Sequence, residues 1–162
     1  MDEIKRTTKE VALSKLMDTC SKREICESKA IEFLWRWKVN VEHHNEILES
    51  LISNKFIDNE RYARLYVKGK KNLSSWGKGK IKENLSIKRI DKEIIKNVLE
   101  EEYSNEENIE NLKKALSKKM KSTKYKDEYD LRNKLVRFGI SRGFEYENVL
   151  SEIKNMINLE EF

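Results

Sequence analysis

The chain has 162 residues, of which 39% are charged and only 38% are apolar, so any core must be thin. It contains no proline and only five glycines, which argues against the tight turns of β-hairpins and β-sandwiches. Lysine, glutamate, leucine and isoleucine are abundant, and these residues favour helices. The composition therefore predicts an all-α protein made of small packed repeats.

The same composition speaks against a membrane protein or a secreted protein. No stretch reaches the roughly 18 uncharged apolar residues of a membrane span, and the first ten residues lack the apolar core of a signal peptide. Cys20 and Cys26 lie six positions apart, on different faces of a helix, so neither a disulfide nor a metal site is expected. We expect a cytoplasmic, monomeric protein without a cofactor.

Charge is distributed unevenly along the chain. Residues 57–99 contain 12 basic and 5 acidic side chains, a net charge of +7, whereas residues 1–56 are neutral and residues 100–162 carry −2. A second basic segment, residues 113–126, holds seven lysines and no acid. Both segments favour an acidic partner, either nucleic acid or an acidic protein surface. A solvated, lysine-rich surface is the alternative that the charge pattern leaves open.

Apolar residues recur at helical spacing in nine segments, of which three precede residue 55. The first helix is predicted to end near residues 19–20, and Ser21 with Glu24 matches a capping box that would open the second. A break near residues 39–40 precedes the third helix. The residues predicted to face the core of this first unit are Leu13, Leu16, Met17, Cys20, Cys26, Ala30, Phe33, Leu34, Trp37, Ile47, Leu48, Leu51 and Ile52.

Six further helices follow in the middle and at the end of the chain. Asp58 and Asp91 are good N-caps, and Asn105 or Ser104 starts another helix. Residues 69–79 are predicted to contain a loop, and the last two helices are predicted near residues 127–138 and 146–158. The residues predicted on the buried faces are Tyr62, Leu65, Tyr66, Ile81, Leu85, Ile94, Ile95, Val98, Leu99, Ile109, Leu112, Leu116 and Met120.

An internal repeat groups the nine helices in threes. The pattern Leu34-x-x-Trp37-Lys38-Val39 returns as Leu85-x-x-Lys88-Arg89-Ile90 and again as Gly139-x-x-Arg142-Gly143-Phe144, with periods of 51 and 54 residues. Each occurrence marks a helix end, a turn and a further helix. The sequence thus predicts three tandem three-helix repeats, at residues 1–54, 55–102 and 103–162, that form an elongated, curved helical array.

No constellation of residues requires catalysis. His43 and His44 are the only histidines and match no zinc-binding pattern, and histidines on a surface helix are most often solvated or half buried. The run Gly77-Lys78-Gly79-Lys80 has the composition of a phosphate-binding loop but neither its spacing nor a preceding strand. The expectation is a protein that is not an enzyme.

Trp76 is the aromatic residue most closely surrounded by cations, in the segment between Lys70 and Lys80. An indole in such a segment can stack on a nucleobase or anchor a protein interface. It can equally fold back to fill the small core of its own repeat. Both interpretations stay open at the level of the sequence.

Three segments carry a resemblance to a known family. The run Phe56-Ile57-Asp58-Asn59-Glu60-Arg61-Tyr62-Ala63 resembles the first motif of the RecX regulatory proteins. Trp76-Gly77-Lys78, Lys80-Ile81 and Leu85 follow the spacing of the same family, and Arg142-Gly143-Phe144 looks like its terminal motif. The chain departs from the family pattern at Asn59, where an acid is usual, and at Gly139, where the family has leucine. Gly139 is expected to loosen the last helix pair by about 1 kcal/mol through helix propensity.

The resemblance implies a helical crescent that lies in the groove of the RecA–DNA filament and mainly inhibits the ATPase, strand-exchange and coprotease activities of RecA. The implied family has no catalytic residues. The partner would be the RecA filament, with single- or double-stranded DNA as a further candidate. The residues predicted to contact RecA or DNA are Arg61, Arg64, Lys68, Lys70, Lys71, Trp76, Lys78, Lys80, Lys82, Lys88 and Arg89.

Two other functions compete with this interpretation. The first is a basic DNA-binding module that acts without RecA, which would show a steep dependence of affinity on salt. The second is a purely structural helical adaptor, which would show neither DNA binding nor an effect on RecA.

Overall fold

The computed structural model describes residues 7–157, and this part of the chain contains nine α-helices and no strand. The helices are α1 (Lys9–Lys22), α2 (Glu27–Arg36), α3 (His44–Ser53), α4 (Asn59–Leu73), α5 (Lys78–Ile87), α6 (Lys92–Glu102), α7 (Asn105–Ser122), α8 (Glu128–Ser141) and α9 (Tyr146–Ile157). One turn of 3-10 helix, Val41–His43, precedes α3. The predicted all-α fold is confirmed. The predicted helix end at Asn158 lies outside the described residues, as do residues 1–6.

The helices pack in three successive units of three, because the most extensive helix–helix packing lies within α1–α3, within α4–α6 and within α7–α9. Each unit has a core of its own. The first contains Leu16, Leu34, Ile47 and Leu51; the second contains Val67, Ile81, Leu85, Ile95 and Val98; the third contains Leu112, Leu116, Leu135, Val149 and Ile153. Three tandem three-helix repeats are therefore present.

Side chains cross between neighbouring cores at the connections. Ile57 precedes α4 yet packs in the first core, and Tyr103 precedes α7 yet packs in the second. Cys26, the N-cap of α2, also belongs to the second core. Because residues on one side of a boundary pack in the core on the other side, packing does not locate the limits of the units. The boundaries at residues 54–55 and 102–103 therefore stay predictions.

The internal repeat has a conformational basis in the turn after the second helix of each unit. Lys38, Arg89 and Gly143 occupy equivalent positions and have φ angles of 54°, 59° and 87°. The next residue of each turn donates its N–H to a carbonyl five positions earlier, at 3.0–3.2 Å. This is the Schellman motif, in which a left-handed residue terminates a helix and satisfies its last carbonyls.

The predicted helix starts are confirmed at four of the caps. The side chains of Asp58, Asp91 and Asp127 accept backbone N–H groups of α4, α6 and α8. Ser104 and Glu107 form a complete capping box at α7.

The capping box predicted at Ser21 is wrong. Ser21 lies inside α1, and its hydroxyl donates to the carbonyl of Asp18. The next helix begins at Glu27, after an extended segment that holds Glu24 and Ile25. Glu24 is released from the capping role and pairs with Arg61 of the second repeat, so the tertiary contact prevails over the local pattern.

Some predicted core positions are instead exposed. Ile52 and Leu65 have 41% and 53% of their surface exposed, and Met17 has 36%. Ala63 and Val67 are the fully buried residues of α4, flanked by the half-buried Tyr62 and Tyr66. The loop predicted within residues 69–79 is confirmed and is short, since α4 continues to Leu73 and α5 begins at Lys78.

Gly139 lies where α8 and α9 approach each other closely. A Cβ atom at this position would lie 2.8 Å from both methyl carbons of Val149 on α9. The missing side chain therefore lets α9 approach α8 closely, and the loosening expected from helix propensity stays a prediction.

Candidate partner-binding surface

Four of the predicted contact residues pair with carboxylates of this chain. Arg61 binds Glu24 with an Nε–Oε1 distance of 2.6 Å, and it also donates to the carbonyl oxygens of Lys55 and Phe56. This arginine thereby connects α4 to the segment before α2 and to the end of the first repeat.

Arg64, Lys68 and Lys71 surround the end of α6. Arg64 contacts Glu60, Glu101 and Glu102 at 2.6–3.0 Å, and Lys68 reaches Glu102 at 3.2 Å. The hydrogen bond donated by Arg64 holds the pKa of Glu102 below its usual value, and the hydrogen bonds that Arg64 donates to Glu60, Glu101 and Glu102 raise its own pKa. Lys71 pairs with Glu107 at 2.9 Å and also donates to the carbonyl of Glu102. These cations carry structural ion pairs.

The other six cations have no carboxylate within ion-pair distance among residues 7–157. They are Lys70, Lys78, Lys80, Lys82, Lys88 and Arg89. Lys70 and Lys80 each hold their ammonium 4.5 Å from the centre of the Trp76 ring. Lys70 and Lys88 lie 5.4 and 5.8 Å from the ring of Tyr66. Aromatic rings attract these cations without cancelling their charge.

Trp76 itself is half buried and packs against the second core. Its carbonyl accepts a hydrogen bond of 2.9 Å from the hydroxyl of Tyr103. The Trp76 ring thus packs against the second core and attracts the ammonium groups of Lys70 and Lys80. Its contact with a partner stays a prediction.

The glycine-rich segment after Trp76 docks on the third repeat. Gly77 donates its N–H to the carbonyl of Arg142 at 2.7 Å, and Gly79 donates to that of Gly143 at 3.0 Å. The N–H of Lys78 donates to Oδ1 of Asn108 at 3.2 Å. The free donors expected at a helix N-terminus are therefore used by the protein itself, which leaves no phosphate loop here.

A cationic cleft of about 520 Å³ lies beside this contact, between the second and third repeats. We call it the 2/3 cleft. Its lining consists of Leu73, Ser74, Ser75, Trp76, Lys114, Ala115, Lys118, Lys119, Ser122, Phe138 and Arg142.

The lining includes four cations and no carboxylate, and three of these cations are lysines that were not among the predicted contact residues. Their signal in the sequence was the acid-free run at residues 113–126. Only the fold shows that α7 turns Lys114, Lys118 and Lys119 toward Trp76 and Arg142.

The equivalent position between the first and second repeats holds a cleft of about 640 Å³, the 1/2 cleft. Two large apolar side chains on its walls are exposed, Trp35 by 60% and Ile87 by 72%. Lys88 and Arg89 line it beside Glu24, whose Oε2 atom is buried and has no hydrogen-bond partner. This cleft therefore combines apolar anchors with charges of both signs.

The histidines form no acid–base arrangement among the described residues. His44 is buried, its Nε2 lies 3.1 Å from the carbonyl of Val39, and its ring meets Trp35 edge-on. It occupies the core position held by Ile95 and Val149 in the other two repeats. Within residues 7–157, no group of three or more potential metal ligands comes together.

No helix in the described part of the chain combines the length and apolar character that crossing a membrane requires.

Two family models match the chain and together cover more than half of it. The model for the second three-helix domain of RecX matches residues 58–99, and the model for the third matches residues 105–150. The regulatory protein RecX of Oceanobacillus iheyensis is 29% identical over 136 residues, which are 83% of this chain and 49% of that protein. RecX of Clostridium botulinum strain Eklund 17B is 32% identical over 135 residues, with coverages of 77% and 61%. The chain thus spans about half to two thirds of the length of these relatives.

Solved structures show the same fold. The crystal structure of RecX from Lactobacillus salivarius superposes with a TM-score of 0.77 and 22% identity, covering 93% of this chain and 97% of the other. A second crystal structure, of a regulatory protein RecX, has a TM-score of 0.80 and 26% identity, covering 94% of this chain and 73% of that one. From the matched domains, the identities and the shared fold, the chain belongs to the RecX family of regulatory proteins.

Proposed function

We propose that this chain regulates RecA by lying along the RecA–DNA filament, where it lowers ATP hydrolysis, strand exchange and coprotease activity. Membership of the RecX family supports this assignment. A tandem array of three small units also suits a long, shallow surface, because each unit can contact the partner separately.

The observation that carries the proposal is the group of six cations in the second repeat that have no carboxylate partner among the residues that the structure describes. Salt bridges within a chain neutralise charge, so Arg61, Arg64, Lys68 and Lys71 contribute little field outside the molecule. The six unpaired cations keep their charge and stand ready for an acidic protein surface or for phosphates. We therefore assign the contact surface to Lys70, Trp76, Lys78, Lys80, Lys82, Lys88 and Arg89.

Two of these cations give a clean test, because neither side chain makes a hydrogen bond within residues 7–157. Lys82 is exposed on α5. Lys88 is the C-cap residue of the same helix, and its ammonium lies 5.8 Å from the centre of the Tyr66 ring. We expect the double variant Lys82→Glu with Lys88→Glu to need about tenfold more protein for half-inhibition of RecA ATPase on single-stranded DNA, equivalent to about 1.4 kcal/mol. RecA should come from the same or a closely related organism.

The matched control reverses two exposed lysines of α6 in the same repeat, Lys92→Glu with Lys96→Glu. It changes the net charge equally and should leave the inhibition within about twofold of wild type. Absence of inhibition by the wild-type chain would contradict the proposal itself. Equal losses in the two variants would contradict the assigned surface.

A further inference from the structure

We infer that the 1/2 cleft binds an extended, acidic segment of a partner protein that also carries a large apolar side chain. The inference goes beyond the proposed function, because it adds Arg23, Trp35 and Ile87 to the residues engaged and defines the chemistry of the bound segment. It shares Lys88 and Arg89 with the proposed contact surface.

Unused backbone groups on the two walls are the first argument. In the junction between the second and third repeats, N–H groups at the start of α5 bond the carbonyls of the turn after α8. The residues in equivalent positions at the 1/2 cleft are Cys26 and Ser28 on one wall and Lys88 and Arg89 on the other. Within residues 7–157, neither the N–H groups of the first pair nor the carbonyls of the second make a hydrogen bond. An extended peptide carries both donors and acceptors, so it can bond both walls where the protein leaves them apart.

The unpaired charge of the cleft is positive. Glu24 pairs with Arg61 at 2.6 Å, and Glu32 pairs with Lys29 at 2.8 Å, so both acids of the lining are already neutralised within the chain. Three cations of the lining have no carboxylate within ion-pair distance among the described residues. They are Arg23, Lys88 and Arg89. An acidic occupant complements these cations.

Two exposed apolar side chains select an occupant that is apolar as well as acidic. Trp35 and Ile87 line the cleft with 60% and 72% of their surfaces exposed. The Trp35 ring meets the buried His44 edge-on, with 5.0 Å between the ring centroids, so its orientation is set before binding. One large apolar side chain of a partner can cover both and remove their surfaces from water. A peptide can alternate acidic and apolar side chains, whereas a nucleic acid carries a charge at every phosphate.

The turn that presents the cations is ordered in advance. Arg89 has a φ angle of 59°, and the next residue, Ile90, donates its N–H to the carbonyl of Leu85 at 3.1 Å. The ammonium of Lys88 lies 5.8 Å from the centre of the Tyr66 ring. Because the backbone of this turn is already fixed, binding a peptide against it loses less conformational entropy than ordering a flexible loop.

The experiment measures binding of a fluorescently labelled peptide, in which glutamates flank a pair of leucines, to the full chain without RecA. We expect fluorescence anisotropy to give a dissociation constant below about 100 μM. The same peptide with serines in place of the leucines should bind about tenfold more weakly. In a titration followed by NMR, the amide resonances of Cys26 and Ser28 should shift. Those of Gly77 and Gly79 should stay, since their N–H groups are already bonded.

The apolar anchor is tested by Ile87→Ser, which should weaken binding of the leucine peptide by about tenfold. Its matched control is Leu73→Ser, which removes an apolar side chain with 89% of its surface exposed at the 2/3 cleft. Because Leu73 lies outside the 1/2 cleft, the control should bind the peptide within about twofold of wild type.

The cations are tested by Lys88→Gln with Arg89→Asn, in which asparagine tolerates the left-handed conformation of the turn. This double variant should weaken binding by about tenfold and make it less dependent on salt. Lys92→Gln with Lys96→Gln removes the same charge from exposed positions of α6 and should keep the wild-type affinity within about twofold.

Several outcomes would overturn the inference. These are no binding of the leucine peptide, equal binding of the serine peptide, an equal loss in either control, or unshifted amides of Cys26 and Ser28. Displacement of the peptide by an oligothymidylate at equal charge concentration, with the oligothymidylate also sensitive to Ile87→Ser, would assign the cleft to nucleic acid instead. Because RecA is absent, none of these results depends on RecA inhibition, so failure here leaves the proposed function standing.

Discussion

The two junctions between repeats use equivalent elements and close to different degrees. Between the second and third repeats, the turn at Arg142 and Gly143 accepts hydrogen bonds of 2.7 and 3.0 Å from Gly77 and Gly79. Between the first and second repeats, the equivalent segments only line the walls of an open cleft of about 640 Å³. There the connection runs through side chains, with Arg61 bound to Glu24 and Asn59 accepting the N–H of Glu27 at 3.2 Å.

Three glycines account for the difference. A Cβ on Gly77 or Gly79 would lie 2.5 or 2.8 Å from the carbonyl oxygen of Gly143, and a Cβ on Gly143 would lie 2.3 Å from the backbone nitrogen of Lys80. The equivalent residues of the first junction are Cys26, Ser28 and Arg89, whose side chains prevent the same approach. The same turn geometry thus accepts backbone hydrogen bonds from the neighbouring repeat where these positions are glycines, and not where they carry larger side chains.

The largest effect on stability is expected from adding one methyl group at Gly143. We expect Gly143→Ala to lower the free energy of unfolding by about 3 kcal/mol, because a left-handed alanine costs about 1–2 kcal/mol and the contact with Lys80 adds overpacking of about 1–3 kcal/mol. Urea denaturation followed by circular dichroism measures the loss. The matched change at the other junction, Arg89→Gly, should stay within about 1 kcal/mol of wild type. Equal effects of the two variants would contradict the role given to the glycines.

Gly139 tests whether close approach also matters inside the third repeat. Helix propensity alone predicts that Gly139→Ala stabilises the protein by about 1 kcal/mol. The contact of 2.8 Å with Val149 predicts the opposite, a loss of about 2 kcal/mol through overpacking. The sign of the change in unfolding free energy therefore decides between the two. Adding Val149→Ala to Gly139→Ala should recover part of the loss, since it removes the methyl carbons that would clash.

Arg61 offers a change confined to the first junction. Arg61→Met removes the pair with Glu24 and should cost about 1–2 kcal/mol, a modest value because 39% of the arginine side chain is exposed. Hydrogen exchange should speed up in the segment around Glu24 and at the start of α4. Amides around Gly77 and Gly143 should keep their protection, and faster exchange there would show that the two junctions are coupled.

The smallest expected effect is that of acidification, which tests an ion pair across the junction between the second and third repeats. The hydrogen bond from Lys71 lowers the pKa of Glu107, so this contact across the second junction stabilises the fold above the ordinary glutamate pKa. Its contribution is lost as the pH falls from the ordinary glutamate pKa through the lowered one. We expect Glu107→Gln, which keeps the capping acceptor, to make the thermal midpoint fall less steeply over that range. Glu106→Gln on the same helix is the control and should retain the wild-type slope.

Local rules predicted the elements that depend on local interactions. Asp58 and Asp91 marked helix starts correctly, because an N-cap satisfies donors within its own turn. The rule failed at Ser21, where a capping-box pattern lies within α1 and Glu24 is used by Arg61 instead. Leu65 was assigned to the core by spacing, yet α4 buries its smaller residues Ala63 and Val67.

The candidate site was only partly predictable. The basic middle of the chain was evident from its charge, but the sequence did not separate Arg64, paired with three carboxylates, from Lys82, which has no ion-pair partner among the described residues. The lysines of the 2/3 cleft were visible as an acid-free run and received no assignment. The pairs of Arg64 with Glu101 and Glu102, and the approach of Lys114 to Trp76, join residues more than 30 positions apart, which helical periodicity does not relate.

The sequence by itself determined the helical character, the three-unit repeat and the resemblance to RecX, because these follow from composition, spacing and short motifs. The tertiary structure alone decided which cations remain unpaired and which junction closes. Both outcomes depend on distances between separate units, where a glycine permits an approach that a Cβ atom would block. Gly143 shows this most clearly, since its role lies in the contact with Lys80 of the neighbouring repeat.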